Sequence, residues 1–253
     1  MRYLILIIIF YSASSWTDQQ DINVGGYHFP PFVEVEDGKP RGLSLGIIKL
    51  LNKQQSKYKF HFVLTSPKRR YVDFKRKRFD IILFEHISWG WRKHPIITSL
   101  PLLDDGELYI TKMHSHKTNS YFNDIRSKRI TAMLGYHYGF ANNNSSPKYL
   151  NEHFSINLVN HFDTMINQVI NNKTDIGVIT QSYLKYQFLK TPELKKNILI
   201  SKQFDQRYTH QILLRKNSRI SKTELNQLFQ QLEDNGKLEA LFQQYGLSHS
   251  NTQ

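Results

Sequence analysis

The chain has 253 residues, no cysteine and a formal net charge of +13. At 40% hydrophobic content it can bury a substantial core, as one large domain or two lobes. Without cysteine it forms no disulfide, offers no thiol chemistry and has no cysteine for lipid attachment. The positive charge suits nucleic acid, an acidic surface or plain solubility, and does not choose among them.

Residues 1–15, MRYLILIIIFYSASS, place Arg2 ahead of an apolar run from Leu4 to Tyr11 and the small residues Ala13, Ser14 and Ser15. That is the layout of a cleavable secretory signal, too short to span a bilayer, with cleavage expected after Ser15. No other stretch is long and apolar enough to cross a membrane, so an exported, periplasmic protein is expected. Ile22 to Gly26 reads as a first strand, followed by YHFPPFVE, where Pro30 and Pro31 keep the chain extended. Tyr27 is a candidate wall for a ligand pocket, and Phe32 a core residue.

Leu43, Ile47, Leu50 and Leu51 repeat at helical spacing, and Tyr58 to Leu64 alternates like a strand. Strand, helix, strand argues for a parallel α/β sheet. The most basic run, KRRYVDFKRKR from Lys68 to Arg78, lacks an RNA-binding or helix-turn-helix signature. It reads as a solvated helix face, and no nucleic-acid partner is expected.

Next comes DIILFEHISWGWRKHPIITSLP, Asp80 to Pro101. Ile81, Ile82, Leu83 and Phe84 form a short buried strand, so Glu85, His86, Ser88, Trp89, Trp91 and Arg92 crowd its C-terminal edge, where open α/β sheets place ligands. A guanidinium beside indoles can grip a carboxylate while the rings cover an apolar body. The opposing reading is a surface arginine beside two core tryptophans.

Glu107 to Met113 reads as a strand, and the polar residues 114–119 as a hinge or linker. His114 and His116 have no acidic or thiol partner nearby, so no metal site is expected. Tyr121 to Ser127 reads as a short helix and Arg129 to Leu134 as a strand, ending in GYHYGF. A strand at Ile156–Val159, a helix at Phe162–Asn171 and the strand KTDIGVIT, residues 173–180, follow. Two further strands are expected at Ser201–Asp205 and Tyr208–Arg215. Ser221 with Glu224 fits a capping box ahead of a helix bearing Leu225, Leu228, Phe229 and Leu232 on one face, and Leu238, Leu241, Phe242 and Tyr245 repeat the pattern after Gly236.

Taken together, "Y-x-F-P-P-F" with Asp37-Gly38 and Gly42, Asp80 followed twelve residues on by Arg92, and the closing LEDNGKLEALFQQYG resemble the bacterial extracellular solute-binding proteins of family 3. The resemblance spans roughly residues 22 to 246 and implies a two-lobed α/β fold of the type II periplasmic binding class. Lobe one would comprise 16–112 and 210–253, and lobe two 113–209, joined by two hinge strands. It implies a monomer that clamps a small carboxylate-bearing solute, an amino acid or a relative of one, for uptake through an inner-membrane ABC permease, with no cofactor.

Residue by residue, the resemblance gives Arg92 the ligand's carboxylate and sets Arg70 near the cleft. It lets the helix opened after Gly135 take the other end of that carboxylate through its first backbone N–H groups. Trp89, Trp91, Tyr27 and Tyr136 would form aromatic walls, with Glu85 and His137 beside them. The family's amino-acid binders carry an acid for the ligand's ammonium where this chain has Thr180, so Glu85 or Asp205 must stand in, or the ligand is not a simple amino acid. An orphan periplasmic sensor without a transporter, and a cyclohexadienyl-dehydratase-like enzyme on the same fold, are the other readings. No nucleophile–base–orienter constellation is visible, so catalysis is not expected.

Overall fold

A computed structural model describes residues 19–249; the expected export signal lies outside the described residues. The first unit runs β1 (Gln20–Gly26), a small hairpin of β2 (Glu34–Glu36) and β3 (Lys39–Arg41), α1 (Leu43–Gln54), β4 (Tyr58–Leu64), α2 (Arg70–Lys75) and β5 (Ile81–Glu85). β1 pairs in parallel with both β4 and β5, as expected of strands joined through helices. α1 buries Leu43, Ile47 and Leu51 of the expected stripe, with Ile48 beside them, while Leu50 is only partly buried against the core. β5 is buried along its whole length, which explains its unbroken apolar run.

The chain then enters β6 (Ile96–Lys112), a strand of 17 residues. The second unit follows: β7 (Ile130–Met133), α3 (Pro147–His153), β8 (Ile156–Val159), α4 (Phe162–Ile170), β9 (Ile176–Thr180), α5 (Gln181–Lys190) and α6 (Leu194–Asn197). β7 is parallel to both β8 and β9. β10 (Ile198–Arg215) returns over 18 residues, and α7 (Lys222–Asp234) and α8 (Lys237–Gln243) finish the described fold. α7 begins with the expected capping box between Ser221 and Glu224.

All strands but the hairpin join one sheet in the order β4-β1-β5-β10-β6-β9-β7-β8. Each end of it is parallel. The antiparallel pair β6/β10 forms its spine, paired with several register shifts from Ile96 opposite Arg215 to Lys112 opposite Ile198. One side of the spine meets β5 and the other meets β9. This is a two-lobed α/β architecture with two long strands passing between the lobes.

Three sequence expectations change here. The strand expected at Glu107–Met113 is the end of the longer β6, and β9 pairs with it at Glu107–Ile110, ahead of the polar stretch 114–119. The strands expected at 201–205 and 208–215 are parts of β10, whose register shifts around Phe204 and Gln211 broke the alternation that would have joined them. The helix expected at 121–127 is a short 3-10 turn, Asn119–Phe122.

Candidate functional site

At the C-terminal end of β5, Phe84 takes a φ of 56°, a backbone conformation costly for an aromatic residue, and stacks on Phe32 at 4.1 Å. Glu85 follows, with no solvent exposure. Its Oε2 accepts the Trp91 indole N–H at 2.7 Å, and its Oε1 lies 3.0 Å from Arg70 Nε, an ion pair whose N–H is not aimed at the oxygen. Arg70 is the first residue of α2 and is 1% exposed. Its guanidinium sits between two rings, 4.9 Å from Tyr27 and 4.5 Å from Tyr71, and its Nη1 donates to the Pro67 carbonyl. Burial works against its charge, but the Glu85 carboxylate and the surrounding rings more than offset that and raise its pKa. Burial pushes the Glu85 carboxyl up, and Arg70 and Trp91 pull it back.

The second lobe meets this group with the loop after β7. Gly135 has φ 83°, and a Cβ there would lie 3.0 Å from Pro67, so only glycine lets the two lobes approach this closely. Tyr136 packs edge-on against Phe29 at 5.2 Å. His137 is pushed down to about 4 by burial and by the Arg70 charge, so it is neutral here at pH 7. The backbone N–H groups of Gly139 and Phe140 are not free for a ligand. Asp205, from β10, accepts them at 2.6 and 2.8 Å and also accepts the Tyr109 hydroxyl at 2.5 Å. The ligand carboxylate expected there is replaced by one belonging to the protein.

The spine contributes Glu107, which is 2% exposed. Its Oε1 accepts the Tyr208 hydroxyl at 3.0 Å, whereas Oε2 has no partner. Burial drives this carboxyl well above the usual carboxylate range, and Asp105 and Asp205 add to the effect.

Tyr27, Phe29, Arg70, Trp89, Glu107, Gly135, Tyr136 and His137 enclose a cavity between the lobes of about 10 Å³, room for about one water. Four lining groups carry buried polar atoms without a partner: Arg70 Nε, Trp89 Nε1, the Tyr136 hydroxyl and Glu107 Oε2. Three donors and one acid without hydrogen-bond partners thus belong to the lining of one small cavity, each costly to leave unmet.

Of the expected site residues, Tyr27, Arg70, Trp89, Tyr136 and His137 line this cavity, with Glu85 directly behind Arg70. Arg92 does not. It stands exposed on a 3-10 turn (Trp91–Lys93), because Gly90, with φ 82°, turns the chain so that Trp91 enters the core and Arg92 leaves it. Trp91 packs on Phe74 at 5.3 Å and acts from behind, through Glu85. Thr180 is fully buried and caps α5, its hydroxyl accepting the Tyr183 N–H. Phe29 and Glu107 were missed. Glu107 had a signal: a lone carboxylate inside the apolar strand pattern of GELYITK.

The chain belongs to the bacterial extracellular solute-binding proteins, family 3, whose sequence profile matches residues 22–248. Solved structures agree on the fold. An ABC uptake transporter substrate-binding protein from Streptococcus pneumoniae with bound histidine aligns with a TM-score of 0.69 at 16% identity, over 89% of this chain and 92% of that one. The GluR0 ligand-binding core from Nostoc punctiforme in complex with L-glutamate gives 0.67 at 18%, over 88% and 98%. The P235GK mutant of ArgBP from T. maritima gives 0.65 at 17%, over 89% and 94%. Compared by sequence with curated proteins, the chain matches none. No helix among the described residues is long and apolar enough to cross a membrane.

Proposed function

We propose that this protein captures a small solute bearing both a carboxylate and an ammonium group, of the α-amino acid kind, by closing its two lobes on it. Arg70 pairs with the carboxylate, helped by the Trp89 N–H and the Tyr136 hydroxyl. Glu107 faces the ammonium, and Tyr27, Phe29 and Tyr136 cover the body of the solute. The observation that carries the reading is the buried Arg70, held between two rings at a cavity that both lobes line. A planar guanidinium already fixed in orientation loses little entropy on binding a carboxylate. Arginine, glutamate and histidine, named with similar folds, are all α-amino acids and lend support.

A cavity of about 10 Å³ admits no amino acid, so uptake needs the lobes to part. We assign that motion to the middle of β6 and β10, so that lobe one ends a few residues before 112 and resumes close to 210. The protein works in the periplasm as a monomer, returns its solute unchanged and delivers it to an inner-membrane ABC permease.

The test is a thermal-shift screen against amino acids, dicarboxylates, aromatic acids and short peptides, followed by calorimetry on each hit. A ligand at ~100 times its Kd adds about 2.7 kcal/mol to stability. A zwitterionic hit that is lost in Arg70→Met supports the reading; binding that survives the substitution overturns it.

A further inference from the structure

Asp80 precedes β5 and Glu85 ends it, so the strand's other end lies roughly 16 Å from the cleft at ~3.3 Å per residue. There α2, the turn before β6 and the end of β10 meet around a second cavity, of about 610 Å³. Backbone bonds tie its floor together: Arg215 N–H donates to the Asp80 carbonyl at 2.9 Å and Lys216 N–H to the Pro95 carbonyl at 3.1 Å. Lys75, Lys77, Lys93, Arg215, Lys216 and Arg219 line it, six cations against the single carboxylate of Asp80. None of the six forms an ion pair among the described residues. Asp80 is engaged elsewhere, accepting the Asn23 N–H at 2.9 Å.

Arg215 distinguishes this groove from an ordinary basic surface. It is only 9% exposed, lies 4.3 Å above the Phe74 ring and donates through Nη2 to the Phe79 carbonyl at 2.6 Å, while its Nε has no partner. Burial lowers its pKa, and Asp80 only partly counters that. A buried guanidinium that Asp80 only partly compensates is unfavourable, and five exposed cations around it add repulsion, so an external anion would relieve both.

We propose that this groove is a second binding site, separate from the cleft, for a phosphate-bearing anion. A phosphate monoester carries close to two negative charges and three strong acceptor oxygens, enough to engage a guanidinium and several ammonium groups at once. The accessible Pro95 and the half-buried His94 ring offer a wall to whatever the phosphate is attached to. The volume falls in the range of small-molecule sites. A free phosphorylated solute and the headgroup of an anionic lipid present the same chemistry.

The experiment titrates the protein with inorganic pyrophosphate by calorimetry and, in parallel, measures co-sedimentation with vesicles of phosphatidylglycerol in phosphatidylcholine. The groove variant is K93E/R219E, at two exposed positions, and K148E/K195E changes the net charge equally elsewhere on the surface. Pyrophosphate binding that falls at least tenfold in K93E/R219E but is kept in K148E/K195E supports the site and a free phosphorylated ligand. Vesicle binding with that pattern, without pyrophosphate binding, supports the site with a lipid headgroup as the source. Equal losses in both variants, or no binding to either probe, overturn the proposal. R215M, tested where it remains folded, should lose binding as K93E/R219E does.

Discussion

Glu107 on β6 and Thr180 on β9 stand opposite each other in the antiparallel ladder of the spine. Residues so paired put their side chains on the same face of the sheet, close enough to interact. An acid absent at 180 is therefore present one strand away, where Glu107 keeps an unpartnered oxygen at the cavity. On the proposed reading, Glu107 is the acidic group for an ammonium, supplied by the strand that joins the lobes.

Restoring an acid at 180 should harm this protein. Thr180→Asp would bury a second carboxyl facing Glu107 and disturb the cap of α5, and we expect a loss of about 2 kcal/mol or more in chemical denaturation. Glu107→Gln should weaken a zwitterionic ligand at least tenfold while leaving the fold stable. In the double variant the new acid no longer faces another, so part of both losses should return. If Thr180→Asp instead tightened amino-acid binding with Glu107 intact, Glu107 would not be the ammonium partner.

Arg70 and Arg92 should separate cleanly. Arg92→Ala removes an exposed side chain and is expected to change stability by no more than about 0.5 kcal/mol and to leave ligand affinity unchanged. Arg70→Met should abolish binding and cost about 3–5 kcal/mol, because Glu85 is left buried without its cation. Arg70→Met with Glu85→Gln should recover much of the stability and none of the binding. Calorimetry and urea denaturation on the three variants give the comparison.

The difference between these two arginines marks how far the sequence could be read. Apolar periodicity and capping identify most elements directly: β4 was expected at Tyr58–Leu64 and forms there, and α7 starts at the expected capping box. Of the groups that line the cavity, Tyr27, Trp89, Tyr136 and His137 follow strand ends, where α/β folds collect ligands, and so show in the sequence. Arg92 stands away from the cavity, and spacing along a chain does not say which side of a one-turn helix faces the cleft. Gly90 decides that through a left-handed backbone. Arg70 is half hidden in a run whose other basic members are solvated, and its contact with Glu85 and two rings sets it apart. Asp205 shows a different limit. Its bonds to Gly139 and Phe140 join positions 65 and 66 residues apart, and no local pattern announces them.

The closed cleft should loosen in mild acid. His137 titrates at about 4 when enclosed, against an ordinary value of 6.5. The open or unfolded chain therefore binds more protons between those values. Stabilisation of the closed form is complete above pH 6.5 and is lost as the pH falls toward 4, with a slope of up to about 1.4 kcal/mol per pH unit. His28 and His86 shift in the same direction, so the difference between wild type and His137→Asn isolates this group. Melting temperatures from pH 7 to pH 4.5 should fall less steeply in the variant, and parallel curves would remove His137 from the linkage.

Glu224 should give a second acid dependence, at lower pH and far from the cleft. Hydrogen bonds from Lys57, Ser221 and Tyr58 hold its carboxyl down at about 2. With a folded value below the ordinary 4.5, its contribution is present above pH 4.5 and is lost as the pH falls toward 2. The carboxylate is about one-third exposed, at 35%, so solvent screening limits its worth, and we expect Glu224→Gln to cost about 1 kcal/mol at pH 7. Lys57→Met should cost less than half of that, since the cap to Ser221 survives. Urea denaturation at pH 7 and pH 3 tests both statements: the gap between wild type and Glu224→Gln should narrow at pH 3. A constant gap would mean that Glu224 contributes through packing and not through its charge.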